Sequence, residues 1–128
     1  MFNTMFFMKD FHSLTVWRRS HDFVLKLYPV LNAFPEEERF GLCSQLRRAS
    51  VSIPSNLAEG CGRQGDAEVK RFFQIAMGSA SEVEYQLLLS KDLSYIQLDQ
   101  YAELNSNIAE IKRMLNAFIQ KLKSKKNS

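Results

Sequence analysis

Residues 99–122 read DQYAELNSNIAEIKRMLNAFIQKL, and this stretch decides the fold class. Tyr101, Leu104, Ile108, Ile111, Leu115, Phe118 and Leu122 recur at alternating spacings of three and four, which gathers them on one face of an α-helix. Asp99 stands where an N-cap carboxylate accepts from the first turn. The strict a/d register is that of a helix packing at a shallow angle against others, so the rest of the chain is expected to supply matching helices.

Working back along the chain, those helices are present as patterns. Val69, Phe72, Phe73, Ala76, Ala80, Val83 and Leu87 form a second 3-4 repeat, with Asp66 as its cap and an end near Leu93. Before it, Cys43, Leu46, Ser50, Ile53 and Leu57 mark a helix expected to begin at Pro35, where Glu36, Glu37 and Glu38 suit the positive end of its dipole. This helix is expected to bend at Pro54 and stop near Gly60, where Gly60, Gly62 and Gly65 crowd together. The first helix, capped by Ser13, carries Leu14, Trp17, Val24, Leu27, Tyr28 and Leu31 inward and Phe23 and Val30 outward, with Pro29 loosening or kinking its last turn. Strand-favouring residues are sparse, threonine occurring only at positions 4 and 15. The expected fold is all-α, an antiparallel four-helix bundle over residues 14–123, with residues 1–13 an apolar extension and 124–128 a basic tail.

The chain is 128 residues long with 45% hydrophobic and 24% charged residues, the composition of one globular domain with a sizeable core. Its net charge of +3 is unevenly placed: +2 over residues 1–65, −5 over 66–111 and +6 over 112–128. Cys43 and Cys61 make no disulfide framework and no zinc spacing, which suits a reducing cytoplasm. The Phe-rich start reaches Lys9 and Asp10 too soon for a signal-peptide core, and no stretch approaches the roughly 20 apolar residues of a membrane span.

Catalytic signatures are missing from the sequence. It has no nucleophile elbow, no phosphate-binding glycine loop, no His-Glu-x-x-His and no pair of Glu-x-x-His motifs. His21, four residues from Trp17, reads as a packed histidine, and Cys61 beside Arg63 as a small loop residue. No enzyme activity, metal or cofactor is expected.

The faces opposite the core are more informative. On the second helix Gln45, Arg48, Ser52, Asn56 and Glu59 fall on one line at 100° per residue, read as pointing directly away from the buried stripe. On the third, Arg71, Ile75, Gly78, Glu82, Tyr85 and Leu89 repeat in heptad register on the far side. A helix that packs only inward does not need Ile75, Tyr85 and Leu89 outside, so Gln45, Ser52, Asn56, Glu59, Ile75, Gly78, Glu82, Tyr85 and Leu89 are the expected subunit interface. The basic residues come largely as doublets, and Arg47, Arg48, Arg63, Lys70, Arg71, Lys112 and Arg113 are the expected phosphate contacts to structured RNA or DNA. Ordinary solubilising charge is the competing reading.

Leu14-Thr15-Val16-Trp17, Phe34 to Leu42, Ser44 to Ala49 and, above all, Ser52-Ile53-Pro54-Ser55-Asn56-Leu57-Ala58-Glu59-Gly60 resemble the four helix bundle protein family, also called the 23S ribosomal RNA intervening-sequence proteins. The likeness spans about residues 10–123 and continues through Phe72, Ala76, Gly78-Ser79, Ser81-Glu82, Glu84 and Gln86-Leu87. It implies a four-helix bundle assembling as a ring-shaped homopentamer. Related members accompany the reverse transcriptase of diversity-generating retroelements and bind nucleic acid. The outward stripe from Gln45 to Glu59 coincides with the family's most characteristic segment. Two functions are therefore expected: an oligomeric RNA-binding or ribonucleoprotein accessory protein, or an adaptor oligomer that binds a protein partner without touching nucleic acid.

Overall fold

A computed structural model describes residues 10–127, with side chains described as far as residue 123; the apolar residues 1–9 lie outside it. Four α-helices follow a short 3-10 turn at Phe11–Ser13: α1 (Thr15–Leu31), α2 (Leu42–Cys61), α3 (Asp66–Asp92) and α4 (Leu98–Asn127). Among the described residues there is no strand. The cross-helix contacts run in opposing order: Leu31 reaches Cys43 while Tyr28 reaches Arg47, Gln45 reaches Gln86 while Ser52 reaches Ser79, and Lys91 reaches Tyr101 while Glu84 reaches Lys112. Successive helices are therefore antiparallel, and α1 closes the bundle against both α2 and α4.

The inward stripes of α2 and α3 are the expected ones. Cys43, Leu46, Ser50, Ile53 and Leu57 are buried, as are Val69, Phe72, Phe73, Ala76, Ala80, Val83 and Leu87. Gln86 and Ser90 join the second set. On α4 the buried position moves from Phe118 to Ile119, and Phe118 is half-buried with its ring 5.1 Å from that of Phe73. A straight helix has 3.6 residues per turn, so a strict seven-residue repeat drifts by about 20° per heptad, and after two heptads the next residue faces the core better.

Helix α1 is phased differently from the sequence reading. Val16, Ser20, Phe23, Leu27 and Leu31 are buried, whereas Trp17 and Val24 are half-buried and Tyr28 is exposed. Phe23, read as outward, is 1% exposed and belongs to the core. The serine hides this stripe: the Ser20 hydroxyl donates to the Trp17 carbonyl at 2.9 Å, so a polar side chain sits in the core with its hydrogen bond made inside its own helix. Trp17 instead joins an aromatic cluster at the edge of the bundle. Phe11 stacks on His12, and His21 lies parallel to the indole with ring centres 5.1 Å apart.

The caps also depart from expectation. Ser13 donates to the Asp10 carbonyl and does not cap α1, whose N-cap is Leu14. Asp66 opens α3 rather than capping it; the N-cap is Gly65, at φ +87°, a conformation that glycine adopts without strain. Asp99 lies within the first turn of α4, its carboxylate accepting from the Gln100 N–H. The helix expected at Pro35 is a 3-10 turn over Glu36–Glu38, and α2 starts only at Leu42, because Gly41 (φ −106°, ψ −110°) takes the chain off the helical path. Helix α2 stops near Gly60 as expected, at Cys61 with Gly62 as its C-cap, and Gly60 itself is a packing residue. A Cβ there would lie 3.0 Å from the Phe72 Cβ and 3.4 Å from the Phe73 ring, so its hydrogen lets α2 and α3 close on each other. Cys61 ends α2 as a buried residue rather than sitting in the loop.

Glu38 performs the capping that the sequence reading assigns elsewhere. Its Oε1 accepts from the Leu42 N–H at 3.0 Å, and its Oε2 accepts from the Tyr95 hydroxyl at 3.0 Å. One carboxylate thus fixes the start of α2 and ties the α1–α2 connection to the α3–α4 connection. Tyr95 is delivered by the end of α3, where Ser94 takes φ +65° and the Tyr95 N–H donates to the Ser90 carbonyl at 2.8 Å, a left-handed helix terminus of the kind glycine usually forms. The bond to Glu38 and then burial raise the Tyr95 pKa above 10, so this bond stabilises the fold below the ordinary tyrosine range and ceases to do so as pH climbs through the raised value.

Glu38→Ala removes the cap and the bridge together and is expected to cost about 1–2 kcal/mol, lowering the thermal midpoint by several degrees. Glu38→Gln keeps an acceptor and falls between Glu38→Ala and the native chain. Tyr95→Phe removes only the bridge and the alkaline step in stability. Thermal melts followed by circular dichroism check this order; equal losses for Glu38→Ala and Tyr95→Phe would show that the cap contributes nothing.

Candidate functional site

The seam between α2 and α3 carries a ladder of polar side chains. The hydroxyls of Ser52 and Ser79 lie 2.8 Å apart, and the Asn56 amide donates to the Ser52 carbonyl at 2.8 Å and to its hydroxyl at 2.9 Å. Higher up, the Gln86 amide donates to Glu82 at 3.2 Å and to Gln45 at 3.4 Å. Gln45, Arg48, Ala49, Ser52, Ser79 and Glu82 line a shallow cavity of about 220 Å³ along this seam. Its companion, Gln86, is 4% exposed, and its Oε1 has no hydrogen-bond partner among the described residues. A buried acceptor left unpaired costs on the order of 1–3 kcal/mol.

The stripe from Gln45 to Glu59 is therefore not turned directly away from the core. Gln45, Arg48 and Glu59 are exposed or half-exposed at its two ends, but Ser52 and Asn56 are half-buried and bonded within the chain, and Glu59 pairs with Arg63 at 2.6 Å. A helical wheel gives directions from one axis only. In a bundle a helix has neighbours on two flanks, and a position off the core line can face a flank. Gln86 is absent from the expected sites; its signals in the sequence are a place among the residues that carry the family resemblance and a spacing of three from Val83, which places it on the inward side.

The far face of α3 is mostly as expected. Ile75 is 39% exposed and Tyr85 60%, and nothing lies within 4 Å of a Cβ placed on Gly78. Leu89 is the exception: it is half-buried and packs against the core, while Leu88 is exposed. Two heptads separate Leu89 from Ile75, and the accumulated drift of about 40° turns it inward.

The seven expected phosphate contacts fall into three places. Arg63 and Arg71 flank the Phe72 ring at 5.0 and 4.6 Å from its centre, with Lys70 beside them at the start of α3. Arg63 pairs with Glu59, and Arg71 with Glu68 at 3.3 Å. Arg47, over the Tyr28 ring, and Arg48, in the seam cavity, stand some thirteen residues before the end of α2, about 20 Å along its axis. Lys112 pairs with Glu84 at 2.8 Å across the α3–α4 seam, and Arg113 pairs with Glu110. Among the described residues Arg47, Arg48 and Lys70 have no carboxylate within ion-pair distance. Antiparallel packing brings Arg18 and Arg19 near the start of α1, and Lys121 and Lys123 near the end of α4, to the same end of the bundle as Arg63, Lys70 and Arg71. This gathering across four elements is invisible in the linear sequence.

The cysteines carry no activated thiol. Cys43 is buried, its pKa raised mainly by that burial, and its thiol faces the Leu31 carbonyl. Burial, helped by the Asp10 carboxylate, pushes the Cys61 thiol up to about 11. Among the described residues no three histidine, cysteine or acidic side chains stand together as a metal site. Among the same residues no helix is long and apolar enough to cross a membrane.

Against known proteins, the family model described as 23S rRNA-intervening sequence protein matches residues 12–117. A crystal structure from Bacteroides thetaiotaomicron, of a protein with unknown function from the S23 ribosomal protein family, is 28% identical, covers 82% of this chain and 95% of its own, and superposes with a TM-score of 0.76. No curated protein matches the chain.

Substitutions at Gly78 test protomer stability and the expected assembly separately. Gly78→Ala meets open space in mid-helix and is expected to stabilise the protomer by about 0.5–1 kcal/mol. Gly78→Leu is expected to keep the fold and lower the oligomeric mass in light scattering, because its side chain keeps a second backbone from approaching. An unchanged mass for a folded Gly78→Leu would remove this face from the interface. Cys61 is expected to resist alkylation in the native protein at neutral pH and to react only when the chain is unfolded, as thiol labelling with mass spectrometry reads directly.

Proposed function

The chain belongs to the 23S rRNA-intervening sequence protein family, and from that premise we propose that it is a non-enzymatic, oligomeric bundle that binds structured RNA through a basic surface, as an accessory of a ribonucleoprotein in the cytoplasm. The observation that carries this reading is the basic end of the bundle. Arg18, Arg19, Arg63, Lys70, Arg71, Lys121 and Lys123 come from three helices and one loop to a single end, where the acidic side chains among the described residues are Asp10, Glu59, Asp66 and Glu68, with Asp22 beside Arg19. Exposed ion pairs such as Arg63 with Glu59 are weak, so phosphates compete for the same guanidinium groups at little cost. Phe72 beneath Arg63 and Arg71 is buried and offers no face to a base, so these two guanidinium groups meet the phosphate backbone.

Assembly enlarges this surface. The outer face of α3, with Ile75 and Tyr85 beside Gly78, meets the α2–α3 seam of a neighbour, and Arg48 and Glu82 supply charge at the rim. A ring of five such contacts places five basic ends side by side, and weak charge on each protomer becomes a strong field. A reverse transcriptase or another RNA-handling enzyme is a partner of suitable kind.

A second reading has its own support. Four of the seven expected phosphate contacts, Arg63, Arg71, Lys112 and Arg113, already hold carboxylates within the chain. In that reading the oligomer is an adaptor for a protein, with no nucleic acid bound.

Binding of structured RNA across a salt series separates the two. The native protein is expected to lose affinity steeply with salt. Changing Arg63, Lys70 and Arg71 together to Ala is expected to weaken binding by about tenfold or more, and to lower the salt slope by about one for each phosphate no longer neutralised. Changing Arg47 and Arg48 to Ala gives a smaller loss. Unchanged binding by the folded triple variant, or no binding by the native protein at low salt, would favour the adaptor.

A further inference from the structure

The opposite end of the bundle has the opposite chemistry. There the α1–α2 and α3–α4 connections are fastened together by the bond from Tyr95 to Glu38, and the Phe34 and Tyr95 rings lie 5.4 Å apart beneath it. Connections of this kind are ordinarily polar. These two instead hold Phe40 at 86% exposure, Leu98 at 74% and Leu93 at 46%, three of the large apolar side chains that the protomer leaves in water. Each is two or three residues from one partner of the Tyr95–Glu38 bond, at most about 7–11 Å of chain, which places all three at this end of the bundle.

The rim of this surface is acidic. Glu36, Glu37, Asp92 and Asp99 stand around it, with Arg47 lining a pocket beside Glu36 and Arg39 and with Arg39 and Lys91 as the cations next to these carboxylates in the chain. Those two are partly engaged: Arg39 lies 3.8 Å from Glu36 and over the Phe40 ring, and Lys91 lies 3.6 Å from Asp92 and over the Tyr101 ring. Glu37 has no cation within ion-pair distance among the described residues. RNA is repelled by such a rim, and a neutral apolar partner would gain nothing from it.

We propose that this connection end docks a basic, apolar segment of a partner protein, whose Leu- or Phe-type side chains cover Phe40, Leu93 and Leu98 while its Lys or Arg side chains meet the carboxylates of Glu36, Glu37, Asp92 and Asp99. The polarity of the bundle then has a use. One end takes polyanion and the other takes a cationic protein segment, about the length of the helices apart, so the two do not compete. The Tyr95–Glu38 bond holds the two halves of the surface in register without taking part in the docking. This surface is separate from the α2–α3 seam and from the basic end, so it stands whether or not the protein binds RNA.

The test uses the full chain and a fluorescein-labelled synthetic helix of repeated Lys-Leu-Leu-Lys, with two comparison peptides of equal length in which Ser replaces Leu or Glu replaces Lys. Anisotropy titrations are expected to give binding of the Lys/Leu peptide that is about tenfold or more tighter than either comparison peptide. Changing Phe40 and Leu98 together to Ser is expected to weaken it by about tenfold or more, and changing Glu37 and Asp99 together to Lys to weaken it and flatten its salt dependence. Asn116→Ser and Gln120→Ser, exposed on α4 away from this end, are expected to leave it unchanged. Phe40 and Leu98 are exposed, so their variant should melt like the native chain.

Three results would overturn the proposal. One is native-like binding by a folded Phe40→Ser, Leu98→Ser variant. Another is equal binding of the Ser-substituted peptide, which would reduce the interaction to bare charge. The third is a fall in the oligomeric mass of that variant without peptide, which would make this end a contact between copies of the chain.

Discussion

The close approach of α2 to α3 is the contact on which the rest of the structure depends. It is possible because small side chains line both helices: Gly60 against Phe72 and Phe73, Ser52 against Ser79, and Ala76 and Ala80 in the buried stripe of α3. A methyl group at Gly60 would already crowd the Phe72 Cβ, so this glycine sets the spacing between the helices at their shared loop. Once the two helices are that near, their flanking polar residues have little room for solvent and must satisfy one another, which is why Ser52, Asn56, Gln45, Glu82 and Gln86 form a ladder. The same approach leaves the outer face of α3 without a covering helix. Ile75, Gly78 and Tyr85 are open to solvent as its consequence.

Antiparallel packing does a second thing that no single helix could. The charges alternate by segment along the chain, and folding it back three times sorts them by end rather than by segment. Residues from the start of α1, the loop after α2, the start of α3 and the end of α4 make a cationic end. The other end, at the two connections and the helix turns beside them, collects Glu36, Glu37, Glu38, Asp92 and Asp99, with Arg39, Arg47 and Lys91 as cations. A modest net charge of +3 thus conceals a bundle whose two ends differ in charge. Within that acidic set it is the carboxylate of Glu38 that turns inward and holds the fold, through Leu42 and Tyr95.

Much of the fold is legible because apolar periodicity reports the inward face of a helix directly. The stripes of α2 and α3 follow from the sequence residue by residue, and the stripe of α4 holds until Phe118, where the difference between 3.5 and 3.6 residues per turn has accumulated enough to bring Ile119 inward. The same drift moves Leu89 from the outer face to the core side. Helix α1 is misphased in the sequence because a buried serine, bonded within its own helix, interrupts an apolar stripe and leaves a neighbouring one looking better. The start of α2 is misplaced because three glutamates at a proline satisfy the rules for a helix start, while the backbone turn at Gly41 that delays it has no periodic signature.

The helical class, the number of helices, most of the buried residues and the family are written in the chain itself, since each rests on local spacing or on a contiguous motif. Packing alone decided which flank each polar stripe faces, which basic residues share an end, which of them already hold a carboxylate, and which apolar side chains remain in water. Those properties depend on distances between residues far apart in the chain. A period along one helix fixes directions around its own axis, but the neighbour that lies in each direction is set only when the helices come together.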